Sequence, residues 1–110
     1  MKDDRVYLLH VQDAIVRIRG YCSVGRDAFH ADLMVQDAVL RNLEVIGEAV
    51  KNLSEGSKTA RPDIPWKRIG GMRDKLIHQY FGVNLRLVWD TVTQDLPRLE
   101  AAVADLLAST

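Results

Sequence analysis

Cysteine is almost missing from this 110-residue chain: Cys22 stands alone. One thiol leaves no intrachain disulfide framework and no cysteine-based zinc motif. With neither a histidine nor a second cysteine close by in sequence, Cys22 reads as filler near a loop. The three histidines, His10, His30 and His78, are too scattered to suggest a metal site, so no metal and no cofactor are expected. No apolar run approaches the length of a membrane-crossing helix. The opening Met1-Lys2-Asp3-Asp4-Arg5 places acidic residues before only a short apolar run, which does not match a cleavable secretory signal. A cytoplasmic location is the expectation. Net charge is absent too, the formal value being zero, which by itself argues against a strong nucleic-acid binder.

What is present is the composition of an ordinary globular protein, 47% hydrophobic and 27% charged. The length predicts a single domain over 1–110, small enough that a second copy could supply much of its buried surface. A homodimer is therefore expected. The charge is unevenly distributed. Residues 1–57 and 81–110 are each net −2, whereas 58–80 are net +4, through Lys58, Arg61, Lys67, Arg68, Arg73 and Lys75 against Asp63 and Asp74. Such a patch attracts phosphate modestly, and it also matches a solvated helix face beside acidic neighbours.

Apolar periodicity predicts helices throughout. Leu8, Val11, Ile15 and Ile18 recur at three and four residues, giving a stripe that ends at Gly20. A longer stripe runs Val35, Val39, Leu43, Ile46, Val50 and Leu53 and stops in Ser54-Glu55-Gly56-Ser57. Asn42 lies at its edge, as a packing amide between helices or, less commonly, as part of a cleft wall. Residues 56–65, with Gly56, Ser57, Pro62 and Pro65, read as a loop. Pro65 suits the start of the next helix, which carries Ile69, Met72, Leu76 and Tyr80 on one stripe and is expected to end at Gly82. Gly70-Gly71 inside it implies close approach of another backbone, or a bend. Asn84 can cap a further helix through Leu85, Val88 and Val92. The register resumes at Leu99, Val103 and Leu106 after Pro97, which either starts a fifth helix or kinks a continuous one. No segment alternates as a strand would, and there is no repeat. The expected architecture is all-α, an up-and-down bundle of four to five helices.

Within the basic segment, Arg73-Asp74-Lys75-Leu76-Ile77-His78-Gln79-Tyr80 brings a guanidinium, an imidazole and a phenol onto one predicted helix. Arg73 offers a fixed fork for phosphate oxygens, His78 can move a proton near neutral pH, and Tyr80 carries a hydroxyl open to contact or modification. These groups can handle a phosphodiester without a metal. Trp66 and Trp89 read as core or interface anchors. One of Lys67 and Arg68 must face solvent on any helix, and His10 and His30 read as surface or interhelical residues.

Several ordered blocks are more specific than this chemistry. They are Asn42 to Ala49, Ile64 to Ile69, Gly71 to Val83, Val88-Trp89 and Asp95-Leu96-Pro97. Together they resemble the HepT-like branch of the HEPN proteins over roughly residues 5–107. The resemblance implies an all-α HEPN bundle, usually a homodimer, acting as the ribonuclease toxin of a toxin–antitoxin pair. It further implies a small MNT-type nucleotidyltransferase as partner, neutralising the toxin by moving AMP from ATP to the motif tyrosine. The family motif of Arg, four residues, His, one residue and Tyr falls on Arg73, His78 and Tyr80. The residue after the arginine is often Asn in such motifs and is Asp74 here, an acid able to pair with Arg73 or Lys75 and to weaken phosphate attraction.

The mechanism that follows is metal-independent RNA cleavage by attack of the ribose 2′-hydroxyl on the adjacent phosphorus. His78 would serve as general base or acid and Arg73 would stabilise charge on the phosphate oxygens, with Arg68 and Lys75 as further RNA contacts. Residues five apart on a helix are turned by about 140° and separated by about 7.5 Å, so Arg73 and His78 do not share a face. Two copies across a two-fold axis would repair this, which predicts a composite site at a dimer interface. Other readings are a nucleotide- or RNA-binding module without chemistry and a dimeric scaffold for a nucleotidyltransferase.

Overall fold

The stripe of Leu8, Val11, Ile15 and Ile18 becomes the buried face of the first helix, α1 (Asp4–Cys22), in a computed structural model that describes residues 3–77 and 84–109 without the side chains of Arg73, Leu76 and Ile77. Asp3 caps α1 by accepting from the Arg5 amide at 3.0 Å. Gly20 does not end the helix, as the sequence suggested. The chain runs on to Cys22 and closes with the Ser23 hydroxyl donating to the Gly20 carbonyl at 2.7 Å. The corner that needs a glycine comes later, at Gly25 with φ 94°, which leads into the short α2 (Arg26–Ala31).

The second stripe is also buried, from Val39 through Leu43, Ile46 and Val50 in α3 (Leu33–Lys51) to Leu53 just beyond it. Asp32 caps α3 through the amides of Met34 and Val35. Gln36, the one buried polar residue among those described, donates from Nε2 to the carbonyls of Phe29 and His30 at 3.0 and 3.1 Å, which ties α2 to α3. Asn42 is a satisfied, part-buried amide, in keeping with the more common expectation, but its partner is not on another helix. Its amide donates back to the Ala38 carbonyl of its own helix at 2.9 Å.

The predicted loop of 56–65 is a loop only in part. Ser54 accepts from the Ser57 amide at 3.2 Å and caps a six-residue helix, α4 (Glu55–Ala60), that runs through Gly56 and Ser57. Asp4 holds it from below, accepting from both serine hydroxyls and from the Ser54 amide. Then α5 (Trp66–Ile77) begins directly after Pro65, whose carbonyl accepts the first helical bond from Ile69. The Gly70 expectation holds: a β-carbon there would lie 3.2 Å from Lys51 Cγ and 4.0 Å from the Gly47 carbonyl, so α3 and α5 approach closely. Gly71 faces open space. The predicted helix end at Gly82 lies outside the described residues.

Asn84 caps α6 (Leu85–Asp90) as predicted, accepting from the Leu87 amide at 3.0 Å. Pro97 stands in the first turn of α7 (Leu96–Ala108), one of the two places the sequence allowed it, but that helix follows the last one without a break. A π-helical turn over Thr91–Asp95 joins α6 directly to α7, with the Leu96 amide donating five residues back to Thr91. Two causes act together. Pro97 has no N–H and its ring would crowd the carbonyl four residues earlier. The buried Val88, Val92 and Leu96 are also spaced by four and four, more than two α-turns hold, and a wider turn absorbs the surplus.

Among the described residues, then, the chain is all-helical. Four long helical units, α1, α3, α5 and the joined α6–α7, alternate in direction, and α2 and α4 fill two corners. Ser54 meets Asp4 and Arg19 meets Glu100, while Arg61 meets Asp105, Arg68 meets Asp95 and Met72 lies beside Val88, an order that makes the neighbours antiparallel. This is the up-and-down bundle read from the sequence. No described helix is long and apolar enough to cross a membrane.

Candidate nucleic-acid interface

The basic segment 58–80 centres on α5. The N-terminal end of this helix is fixed by Trp66, whose indole is buried and whose Nε1 donates to the carbonyls of Lys58 and Arg61 at 3.1 and 2.9 Å. Trp89, half-buried, lies with its ring centre 5.3 Å from that of Phe29. Both tryptophans are anchors, as expected, and neither is a free stacking surface. Ile69 is buried and Met72 packs against the core, so the remaining face of α5 presents Lys67, Arg68, Asp74 and Lys75 to solvent.

The basic segment is less positive than its sequence suggests. Arg61 binds Asp63 at 3.0 Å and Asp105 at 2.6 Å, which fastens the 61–63 corner to α7. The hydrogen bond from Arg61 holds the Asp63 carboxyl below the usual range, and Asp63 in turn raises the guanidinium. Arg68 reaches Asp95 in the π turn at 3.3 Å. Of the two partners expected for Asp74, Arg73 has its side chain outside what is described, and Lys75 has no carboxylate within salt-bridge distance among the described residues; the Asp74 carboxylate lies instead 3.8 Å from Lys51 of α3. Lys67 likewise has none among them.

Arg73 falls just before the last turn of α5, but its side chain, together with His78 and Tyr80, lies outside what is described. Two hollows flank the helix. A cavity of about 70 Å³ between α3, α5 and α6 has apolar walls of Leu43, Ile69, Met72 and Val88 and carries Arg68, Lys75 and Asp95 at its edge. On the other side, an open groove of about 870 Å³ runs between α4, the end of α3 and α5, over Gly70 and Gly71. Lys51 and Lys58 stand in this groove with Lys67. Lys51 was missed by sequence reasoning because it belongs to α3, outside the basic segment. The remaining nucleophile, Cys22, is pushed up by burial and so is poorly suited to act as a thiolate. His10 is exposed and His30 half-buried, its ring edge-on to Phe29.

The structure defines a class: a small all-α antiparallel bundle with lysines and arginines gathered on one helix. Comparison with known proteins narrows this. The model of the family described as Ribonuclease HepT-like matches residues 11–106. A protein of Caldanaerobacter subterraneus subsp. tengcongensis named Putative RNase TTE0752 is 43% identical over 97% of this chain and 96% of its own length. Probable ribonuclease HepT of Thermococcus cleftensis is 44% identical over 86% of each chain. A third relative, Gamma-glutamylcyclotransferase and putative RNase MJ0434 of Methanocaldococcus jannaschii, is 40% identical over 96% of this chain but only 48% of its own length. No solved structure gives a significant match. The chain belongs to the HepT-like ribonuclease family, a branch of the HEPN proteins.

Proposed function

We propose that this protein is an endoribonuclease that cleaves RNA without a metal, through Arg73 and His78. Family membership carries the reading, and the exposed Lys67, Arg68 and Lys75 of α5, the helix on which position 73 falls, support it. The ribose 2′-oxygen attacks phosphorus as His78 takes its proton, and the bond to the 5′-oxygen breaks. That oxygen gains a proton, leaving a 2′,3′-cyclic phosphate and a 5′-hydroxyl. Arg73 holds the phosphate oxygens as their charge grows. Arg68 and Lys75 contribute further attraction, Arg68 less so while Asp95 engages it.

Two copies supply the complete site, since Arg73 and His78 are five residues apart and do not share a helical face. The protein acts as a toxin held in check by a nucleotidyltransferase of the MNT type. That partner attaches AMP to Tyr80: the phenol oxygen attacks the α-phosphorus of ATP, loses its proton and releases pyrophosphate. The added bulk and negative charge then keep RNA away.

The decisive experiment compares an RNA with its fully 2′-deoxy counterpart on wild-type, Arg73→Ala and His78→Ala proteins. RNA alone should be cut, and each substitution should lower the rate by at least about 100-fold. Equal cutting of the deoxy strand would overturn the mechanism. Mixing the two variants should restore part of the activity if the site is shared between subunits. Intact-mass analysis after co-expression with the partner should show one added AMP, lost in Tyr80→Phe.

A further inference from the structure

We infer that the groove between α4, the end of α3 and α5 is a track for the backbone of single-stranded RNA on one side of the scissile phosphate. The inference rests on the ribonuclease reading for the identity of its ligand, and on the groove itself for its position. Three lysines from three different helices, Lys51, Lys58 and Lys67, line it together with Arg68, and Glu55 is the one carboxylate among the described residues of its wall. Asp74 touches Lys51 from beside the groove at 3.8 Å. The floor is Gly70-Gly71. A β-carbon at Gly71 would meet nothing within 4 Å, so the glycine leaves the channel shallow and open. By helical spacing, positions 67, 71 and 74 fall on one side of α5, and the groove therefore follows the helix that carries the Arg73 motif.

The chemistry of the lining selects the ligand. Protein interfaces concentrate aromatic residues and arginine and are depleted in lysine. Here lysines outnumber arginine three to one among the described residues of the wall, the single Arg68 is engaged by Asp95 at 3.3 Å, and the one aromatic, Trp66, is 8% exposed with its N–H held by two carbonyls. No exposed aromatic ring stands among the described residues of the groove to stack a base. Flexible point charges on an open floor neutralise phosphates one by one, which gives affinity without sequence preference. An acidic protein surface is the competing occupant, and the same experiment separates the two.

The test uses the full chain carrying His78→Ala to prevent turnover, with a labelled 12-nucleotide RNA followed by fluorescence anisotropy across a salt series. Adding Lys58→Gln and Lys67→Gln together should weaken binding on the order of tenfold, equally for unrelated sequences. The slope of log affinity against log salt should fall by about 1.4, or about 0.7 for each lost phosphate contact on a single strand. Arg17→Gln, on α1 and paired with Asp13, should change neither quantity. An unchanged affinity and slope in the double variant would overturn the track, as would a loss confined to one sequence. Normal RNA binding with lost association to the co-expressed nucleotidyltransferase would assign the groove to a protein instead. If the double variant melts early by circular dichroism, the single Lys67→Gln change, at an exposed position, gives the same reading with half the slope change. Failure of the ribonuclease reading looks different: wild-type protein would cut no RNA while the lysines still governed affinity and slope.

Discussion

Lys51, in the last turn of α3, and Asp74, in the third turn of α5, stand 3.8 Å apart across the groove edge. The contact is long and both side chains are well exposed, so it contributes little to stability. Its effect is on the field: Asp74 places a negative charge beside a lysine that otherwise points toward phosphate. Asp74→Asn should therefore leave the melting temperature nearly unchanged and raise RNA affinity by roughly threefold at low salt, with the gain fading as salt screens it. Anisotropy in the His78→Ala background measures this, and a fall in affinity would show that Asp74 serves the site instead of opposing it.

The two glycines of α5 should respond differently to alanine. At Gly71 the new methyl group enters open space, so only helix propensity changes and stability should rise by about 1 kcal/mol. At Gly70 it would sit 3.2 Å from Lys51 Cγ, and the gain shrinks as the lysine stem is pushed aside. Urea melts of the two variants should rank Gly71→Ala above Gly70→Ala. Gly71→Glu separates folding from binding: it should be at least as stable as wild type while RNA affinity drops.

Asp4 should make α4 sensitive to acid. Partial burial pushes its carboxyl up, but the hydroxyls of Ser54 and Ser57, the Ser54 amide and nearby Lys58 outweigh this and hold it below its ordinary value. A carboxyl depressed in the folded state adds stability above its unfolded pKa of about 3.9, and that stability is lost as pH falls through the lower folded value. Asp4→Asn should therefore melt below wild type at pH 7, with the gap closing under pH 4. Because α4 carries Lys58, RNA affinity at pH 7 should fall with it.

The long helices were legible because each buries one stripe, and a stripe repeats whether or not its neighbours are known. Leu8 to Ile18, Val39 to Leu53 and Leu99 to Leu106 are buried as their spacing requires. The short helices were not legible. Six residues hold too few turns to show a period, and α2 and α4 are held by side chains from elsewhere, Gln36 on the Phe29 and His30 carbonyls and Asp4 on Ser54 and Ser57. The basic segment was visible as composition, but which charges stay available depended on Asp95 and Asp105, far along the chain. Lys51 joins the groove only because α3 folds against α5 at Gly70. The family motif was legible as a motif, and its roles rest on the experiments above.

The π turn at Thr91–Asp95 gives the last helix a tolerance that the others lack. It holds one residue more than an ordinary turn, like slack taken up in a cable. Deleting the exposed Thr93 should tighten that turn and bring Val88, Val92 and Leu96 to a four-then-three spacing, with the two ends of the rod still facing their old neighbours. The same deletion in α3, at Glu44, would rotate every following residue by about 100° and turn Ile46 and Val50 away from the core. Expressed side by side, the first shortened protein should still melt cooperatively and the second should not.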